Sequence, residues 1–385
     1  MESLVEAYRG KRVLVTGHTG FKGSWLAYWL HRMGAEVFGL SRWPHTDPSH
    51  FGLLGLQSRL KDHLYCDLTC YDDVRDMLDE WMPNIVFHLA ANAIVARTFH
   101  EPRETFESNV MGAVNLLEAC RLTPSVKAVV MITTDKVYAN REWRWAYREN
   151  DELGGLDPYS ASKVCVEHVI ECYRSQFFPG IATARAGNVI GGGDWAEKRL
   201  IPDIVRATVE SRAVEIHTPY ATRPWQHVLE PLYGYLLLGK RLMEGNVSPM
   251  LEFNTELLSD PIPTDCWPNK IFWTKNAPAV SYIPAQQFNK AWNFGPDGEM
   301  TVLDVLKVAK SAWPKIEYVV KEKETHPSMV QLLKIDSTES RTKLGWRPRW
   351  DMETAIHKSI EWYRQYYENG IVMTDKQIDE YEEGL

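Results

Sequence analysis

The fold is decided by the stretch Val15-Thr16-Gly17-His18-Thr19-Gly20-Phe21-Lys22-Gly23. It begins at the last residue of the apolar run 12–15 and ends just before a helical pattern over 24–33, so it joins a strand to a helix. In such a turn the first glycine permits the tight bend, the second lets a pyrophosphate approach the backbone, and the third lets the helix pack on the sheet. The amides at the start of the helix then hold the anion. We therefore predict a dinucleotide site at Gly17, Gly20, Phe21 and Gly23.

Apolar runs and helical patterns alternate through the first half of the chain. Strands are predicted at 12–15, 35–40, 84–89 and 126–133, and helices at 24–33, 72–81 and 107–121. Strands without a polar face, separated by helices, are typical of a parallel sheet that is covered on both sides. We predict an α/β protein, with a Rossmann-type doubly wound parallel sheet and a smaller α/β substrate-binding lobe.

The pattern changes after about residue 186, which suggests two units. Residues 1–186 are predicted to form the dinucleotide-binding domain, to which the chain returns near 219–245 and 291–300. Residues 187–385 are predicted to form the smaller lobe. Within it, 246–290 carries six prolines and little periodicity, so this segment is unusual for its length. A helix is expected over 352–366, and the acidic residues 375–385 are expected to be frayed.

Composition excludes several classes of function. The chain has 385 residues and a formal net charge of −8, which argues against a general role in coating nucleic acids. No run reaches the roughly 18–20 apolar residues that a membrane helix needs, and the first residues do not resemble a secretory signal. The six cysteines lack the paired spacing of a zinc site. We expect a cytoplasmic protein with reduced thiols, no metal and no membrane or nucleic-acid partner.

The residues around the predicted cofactor leave its identity open. The acid that usually binds the adenosine ribose should follow the second strand, but that place reads Leu40-Ser41-Arg42. Arg42 would suit the 2′-phosphate of NADP, or it is a solvated loop residue. Asp67 either meets the adenine amino group or caps a turn. Leu68 and Ala90 are expected in the same cofactor site.

A second motif, Tyr159-x-x-x-Lys163, predicts the catalytic base. On a helix these two residues share a face. Lys163 would lower the pKa of the Tyr159 phenol and grip the nicotinamide ribose. A phenolate near neutral pH is a competent base for a secondary alcohol.

The residues Thr134-Asp135-Lys136 follow the apolar strand 126–133. Chemistry in an open parallel sheet gathers at the carboxyl ends of its strands. Thr134 would hydrogen-bond the substrate hydroxyl. Asp135 and Lys136 add an acid and a base that a simple alcohol dehydrogenase does not need, unless they form only a loop ion pair.

Together these motifs resemble the extended short-chain dehydrogenase/reductase family, in the branch that acts on nucleotide sugars. The resemblance covers about residues 8–245 and 291–365. It is carried by the stretches 15–26, 88–91, 109–112, 134–136, 140–143, 147–151, 184–195, 223–232, 292–296 and 344–348.

The resemblance implies a tightly held NAD and a redox-neutral 4,6-dehydration of a nucleotide-diphosphate sugar. Tyr159 would deprotonate the sugar 4-hydroxyl, Lys136 would take the C5 proton, and Asp135 would protonate the departing 6-hydroxyl. Lys136 stands where relatives acting on dTDP-glucose have glutamate, so CDP-glucose is the expected substrate, and NAD is preferred over NADP. Helices near 102–121 and 159–177 would pair in a homodimer or a higher homo-oligomer.

The smaller lobe is expected to grip the nucleotide. By the resemblance, Asn188 would bind the diphosphate or sugar, and Arg223 the diphosphate. Arg199 would belong to an anion pocket or to the solvated surface. Trp225 and His227 lie inside the matched stretch 223–232 and are candidates for substrate contact, although a tryptophan is more often core.

Two other functions fit parts of the pattern. An epimerase or 4-reductase on the same scaffold would need Tyr159 and Lys163 but not Asp135 and Lys136. A non-catalytic NAD(P)-binding protein would need none of the catalytic set, and the presence of Thr134, Tyr159 and Lys163 argues against it.

Overall fold

The computed structural model describes residues 1–178, 180–245, 287–321 and 332–384. Most of the unusual segment, residues 246–286, lies outside this part of the chain, as do its tryptophans Trp267 and Trp273. Among the described residues, no helix is long and apolar enough to cross a membrane.

The described elements alternate between strands and helices. The strands are β1 (Arg12–Thr16), β2 (Glu36–Ser41), β3 (Asp62–Tyr65), β4 (Ile85–His88), β5 (Ala128–Ile132), β6 (Ile181–Ala186), β7 (Val189–Ile190), β8 (Val214–Ile216), β9 (Thr222–Arg223), β10 (Gln226–His227), β11 (Ala291–Phe294), β12 (Met300–Thr301) and β13 (Tyr318–Val320). The helices are α1 (Glu2–Tyr8), α2 (Phe21–Arg32), α3 (His50–Leu53), α4 (Leu56–Arg59), α5 (Tyr71–Trp81), α6 (Val95–Thr98), α7 (Pro102–Phe106), α8 (Gly112–Leu122), α9 (Pro158–Gln176), α10 (Leu200–Val209), α11 (Leu229–Glu244), α12 (Val302–Ala312), α13 (Met352–Asn369) and α14 (Thr374–Glu383). A 3₁₀ turn spans Asp135–Val137, and π-helical turns span Glu107–Met111 and Ser340–Leu344.

Seven of the described strands form one parallel sheet in the order β11-β6-β5-β4-β1-β2-β3. The strand order reverses between β1 and β4, where doubly wound sheets bind their ligands. The predicted Rossmann-type α/β fold is confirmed. Strand β11 lies at the edge of this sheet beside β6, and the division into a domain 1–186 and a lobe 187–385 stays a prediction.

Strand β1 shows why the sheet is covered on both sides. Val13 and Val15 belong to a core cluster with helices α2 and α11. Leu14 points the other way, into a cluster with helices α5, α8 and α9. Successive strand residues face opposite sides of a sheet, so an uninterrupted apolar run supplies two cores.

Most predicted elements differ from the observed ones by only a few residues at their ends. Helix α2 begins three residues before the predicted start, because the extended Gly20 already serves as its N-cap. The predicted helix 107–121 divides into the π-helical turn Glu107–Met111 and helix α8.

The expectation of frayed residues 375–385 is wrong. Residues Thr374–Glu383 form α14, whose Ile378 and Tyr381 are buried. Its acidic side chains are partners of α2: Asp375 accepts a hydrogen bond of 2.8 Å from Tyr28, and Glu382 one of 2.6 Å from Trp29. The acidic residues of this stretch therefore stabilise α14 by specific hydrogen bonds with α2.

Short strand pairs outside the main sheet build the region around residues 187–227. Strand β7 pairs with β10, β8 with β13, and β9 with β12. Two of the predicted substrate-binding residues in this region, Asn188 and Arg223, lie near Asp135 at the carboxyl end of β5.

Candidate active site

The glycine turn leaves no room for side chains at two of its positions. Gly17 has φ +74°, and a Cβ there would lie 2.7 Å from the backbone nitrogen of Ala90. A Cβ on Gly23 would lie 2.0 Å from the Gly17 carbonyl oxygen. At Gly20 the nearest heavy atom to a Cβ would be 3.4 Å away. The turn therefore has the close packing that a dinucleotide site requires, with Gly20 facing a less crowded side.

A cleft of about 270 Å³ opens at this turn. All eight residues proposed for cofactor binding, other than the catalytic pair, line it: Gly17, Gly20, Phe21, Gly23, Arg42, Asp67, Leu68 and Ala90. The cradle at the glycine turn and the lining of the cleft fit a dinucleotide.

Arg42 is held by two carboxylates. Its guanidinium lies 2.7 Å from Asp67 and 3.0 Å from Glu104, and it also donates to the Ser108 hydroxyl over 3.1 Å. The negative charges of Asp67 and Glu104 would repel a 2′-phosphate. The arrangement favours NAD over NADP, an alternative that the sequence left open.

Asp67 is engaged as a turn cap as well as in the ion pair. Its Oδ1 accepts hydrogen bonds from the amide and the hydroxyl of Thr69 over 3.0 and 2.9 Å. Both carboxylate oxygens therefore have partners within the chain, and the contact with adenine stays a prediction.

The carboxyl end of β5 brings the catalytic candidates together. Thr134 caps the 3₁₀ turn by accepting from the Lys136 amide over 3.3 Å, and its hydroxyl lies 3.2 Å from Asp135 Oδ1. Asp135 is buried, and its Oδ2 has no hydrogen-bond partner among the described residues. Burial raises the pKa of Asp135, while Lys136, Thr134 and Arg223 oppose the shift. A carboxyl group of raised pKa beside a lysine is suited to proton transfer.

Tyr159 differs from the sequence expectation. Burial raises its pKa to about 12, and a hydrogen bond with Thr134 and the charge of Arg199 lower it only in part. The groups that oppose this shift are Thr134 and Arg199, while Lys163 Nζ donates to the carbonyl of Ile132 over 3.2 Å. Burial lowers the pKa of Lys163 to about 8. The chain alone therefore does not hold Tyr159 as a phenolate near neutral pH.

Three of the five substrate-binding candidates lie near the catalytic group. Arg199 lines the cleft, is paired with Asp194 over 2.9 Å and interacts electrostatically with Tyr159. Arg223 is half-buried and interacts with Asp135. Asn188 has the uncommon φ of +38° directly after Gly187, where a Cβ would meet the Asp135 carboxylate.

The structure does not bring Trp225 and His227 to the cleft. Trp225 is buried and donates to the Met300 carbonyl over 3.2 Å. His227 has no exposed surface, and its ring packs against Trp25 and Trp350. Both side chains fill the core beneath the site, so their part in substrate contact stays a prediction without support from the geometry.

The sequence did not point to four charged residues that line the cleft, Lys22, Arg97, Glu104 and Asp194. Lys22 could have been found, because it lies inside the glycine motif. Arg97 on α6, Glu104 on α7 and Asp194 in the loop after β7 reach the cleft from places that only the tertiary fold determines. Among the described residues, no cluster of three or more histidine, cysteine or acidic side chains could hold a metal ion.

The fold and the cleft define a dinucleotide-binding enzyme of the doubly wound α/β class. Residues 13–247 match the model of the NAD dependent epimerase/dehydratase family. The chain is 38% identical to CDP-glucose 4,6-dehydratase of Salmonella typhimurium, over 97% of each chain. It is 24% identical to a probable dTDP-glucose 4,6-dehydratase of Sinorhizobium fredii, over 93% of each chain.

Solved structures share the fold. UDP-glucose 4-epimerase from Thermotoga maritima is 20% identical, with a TM-score of 0.73 over 92% of this chain and 99% of that one. UDP-glucose 4-epimerase from Thermus thermophilus, solved with NAD, is 21% identical, with a TM-score of 0.69 over the same shares. The chain belongs to the NAD dependent epimerase/dehydratase family, within the extended short-chain dehydrogenases/reductases.

Proposed function

We propose that the chain is an NAD-dependent nucleotide-sugar 4,6-dehydratase that converts CDP-D-glucose to CDP-4-keto-6-deoxy-D-glucose. The observation that carries this proposal is the 38% identity, over 97% of both chains, to a CDP-glucose 4,6-dehydratase. The acid and base next to Thr134 support it, because elimination beside a ketone needs both.

The reaction would divide between two sets of side chains. Tyr159 would take the proton of the sugar 4-hydroxyl while Thr134 hydrogen-bonds the same oxygen. Lys136 would remove the C5 proton, which the new 4-ketone acidifies, and Asp135 would protonate the departing 6-hydroxyl. Bound NAD would supply the redox chemistry, accepting hydride from C4 and returning it to C6.

The environment of Asp135 supports its proposed role as an acid. Burial raises the pKa of this carboxyl, so it retains a proton to a higher pH than an exposed aspartate does. For Tyr159, whose pKa burial raises to about 12, the base form would need additional positive charge nearby. The oxidised nicotinamide ring carries such a charge when it is bound.

The nucleotide end of the substrate would be held by Arg223, Arg199 and Asn188. The two arginines are close enough to interact with Asp135 and Tyr159 respectively, which supports a diphosphate near the catalytic group. Charge-assisted hydrogen bonds to phosphate are among the strong ones.

We also propose that the protein forms a homodimer through the helical region 95–122. Phe99, Phe106 and Met111 in this region are 59%, 37% and 49% exposed in the single chain. Large apolar side chains exposed together favour an interface. The cytoplasmic location stays a prediction from the sequence.

An assay with four nucleotide sugars tests the function. The protein is incubated with CDP-glucose and, separately, with dTDP-, UDP- and GDP-glucose, and the products are examined for a 4-keto-6-deoxy sugar. We expect product from CDP-glucose without net consumption of NAD. Steady oxidation of NADH or NADPH, or a product that keeps its 6-hydroxyl, would instead support a reductase or an epimerase.

A further inference from the structure

Lys22 is a charged residue of the glycine motif that the proposed reaction does not use. It is the second residue of α2, and its side chain lines the cofactor cleft. No hydrogen bond or ion pair joins its ammonium to another of the described residues. Its Nζ lies 5.9 Å from the centroid of the Tyr235 ring on α11. Glycine turns of this kind bind a pyrophosphate through backbone amides, so a lysine here needs a separate explanation.

The side chains around Lys22 come from four places in the fold. Lys163 on α9 and Arg199 before α10 are cations, Asp135 after β5 is a carboxyl, and Tyr235 on α11 is an uncharged ring. Burial, followed by the two cations, lowers the pKa of Lys22 to about 7, and Asp135 opposes the shift. The site thus holds a positive charge that the chain compensates poorly.

The neighbours of Lys22 identify which part of a bound dinucleotide it would act on. Lys163 and Asp135 belong to the catalytic group, and Tyr235 interacts electrostatically with Tyr159. The lysine therefore lies towards the end of the cleft where hydride transfer is proposed.

We propose that Lys22 tunes the nicotinamide ring, its ammonium favouring the neutral, reduced ring over the cationic, oxidised one. The physical cause is repulsion between like charges in a site of low effective dielectric. Oxidation of C4 would transfer its C–H bonding pair to the bound cofactor as hydride and the hydroxyl proton to Tyr159, and the nicotinamide would thereby lose its positive charge. Lys22 would thereby favour C4 oxidation and keep the hydride on the cofactor during elimination. The inference deepens the proposed function and rests on it for the nicotinamide cofactor.

Binding measurements on cofactor-free protein test the proposal. The dissociation constants of NAD⁺ and NADH are measured by calorimetry at about pH 6, where Lys22 carries its charge, for the wild type and for Lys22→Met. We expect the preference for NADH over NAD⁺ to fall at least about tenfold, which corresponds to about 30 mV for a two-electron couple. Lys22→Arg should keep the preference. Lys11→Met, at the opposite end of β1, removes the same charge from an exposed position and should also keep it.

Two binding results would overturn the proposal. If Lys22→Met weakens NAD⁺ and NADH equally, the lysine acts on the pyrophosphate that both forms share. Unchanged affinities would likewise contradict any role towards the cofactor. Circular dichroism of each variant checks that the protein is folded, and Lys22→Arg separates loss of charge from loss of packing.

The pH dependence gives a second readout. Lys22 is charged below its pKa and neutral above it, and that pKa is about 7 in the cofactor-free protein. The wild-type preference for NADH should therefore decrease as pH rises through the range in which Lys22 loses its proton. Lys22→Met should show a smaller decrease, because Lys163, whose pKa burial lowers to about 8, still titrates beside the cofactor. A wild-type ratio that stays constant from about pH 6 to pH 10 would overturn the proposal.

The binding experiment is independent of the sugar substrate. If the affinity ratio shifts as expected but CDP-glucose is not converted, the proposed substrate is wrong and the role of Lys22 stands. If CDP-glucose is converted and the ratio does not shift, the role of Lys22 is wrong and the dehydratase stands.

Discussion

At the scale of single residues, the partners of Arg42 explain how a cleft without the usual ribose-binding acid can still prefer NAD. The arginine follows the second strand, where it would otherwise attract the 2′-phosphate of NADP. Asp67 and Glu104 neutralise it, with distances of 2.7 and 3.0 Å. The preference therefore depends on two carboxylates that are distant in sequence from the arginine.

We predict that Asp67→Asn combined with Glu104→Gln raises the affinity for NADP relative to NAD by about tenfold. The released guanidinium can then pair with the 2′-phosphate by a charge-assisted hydrogen bond. Calorimetric titration of both cofactors measures the ratio. Glu107→Gln, whose carboxylate is paired with Arg103, is the matched control and should leave the ratio unchanged. A double variant with the wild-type ratio would contradict this account of Arg42.

Lys136 belongs to the same scale, because its role separates elimination from binding. We predict that Lys136→Ala lowers turnover of CDP-glucose by about 10²–10⁴-fold, the usual contribution of a general base. Binding of CDP-glucose should stay within about threefold, since nucleotide recognition is assigned to other residues. Product analysis, and exchange of the C5 hydrogen with deuterated solvent, measure the defect.

The comparison with an exposed lysine completes this experiment. Lys198→Ala, in an exposed loop before α10, should leave both turnover and exchange unchanged. Exchange at C5 that continues at the wild-type rate in Lys136→Ala would show that another group removes this proton.

The residues of the site were predictable to different degrees. Gly17 and Tyr159 were found because spacing along the chain determines which atoms meet in a turn or on one helix face. The ionisation state of Tyr159 was not predictable, because it depends on burial and on Arg199, 40 positions away. The proximity of Lys22 to Lys163 and Asp135 was not predictable for the same reason, because the fold brings together elements that are distant in sequence.

At the scale of elements, periodicity predicted the strands more reliably than the end of the chain. Strands β1, β4 and β5 are apolar on both sides, and such runs occur where two layers of helices cover a sheet. Helix α14 is mostly polar, and its two large apolar residues, Ile378 and Tyr381, are both buried. Its order comes from polar contacts with α2 and α11, which a local pattern does not reveal.

Helix α14 provides the test at this scale. The hydroxyl of Tyr381 donates to the buried carboxylate of Glu230 on α11 over 2.8 Å. We predict that Tyr381→Phe lowers the free energy of unfolding by about 1–3 kcal/mol, because it leaves a buried acceptor with one partner fewer. Urea denaturation followed by circular dichroism measures the loss.

A tyrosine on the neighbouring helix is the control for this change. Tyr366 on α13 is half-buried, and its hydroxyl makes no hydrogen bond with another described residue. Tyr366→Phe should change the free energy of unfolding by less than about 0.5 kcal/mol. Equal effects of the two substitutions would mean that the contact between α14 and α11 contributes little.

At the scale of the whole molecule, the apolar residues of region 95–122 indicate how two copies would associate. We predict that the wild type is a dimer and that the double variant Phe106→Glu, Met111→Glu is a monomer. A side chain of this size is worth about 1.5–3 kcal/mol when fully buried, and only the exposed 37% and 49% can become buried at the interface. Counted on both copies, the loss is about 3–5 kcal/mol, which weakens association by about 10²–10⁴-fold. Sedimentation velocity at micromolar concentration measures the mass.

Val209→Glu, at the exposed end of α10, adds a charge elsewhere and should leave the dimer intact. A double variant that remains dimeric while folded and able to bind NADH would place the interface on another surface.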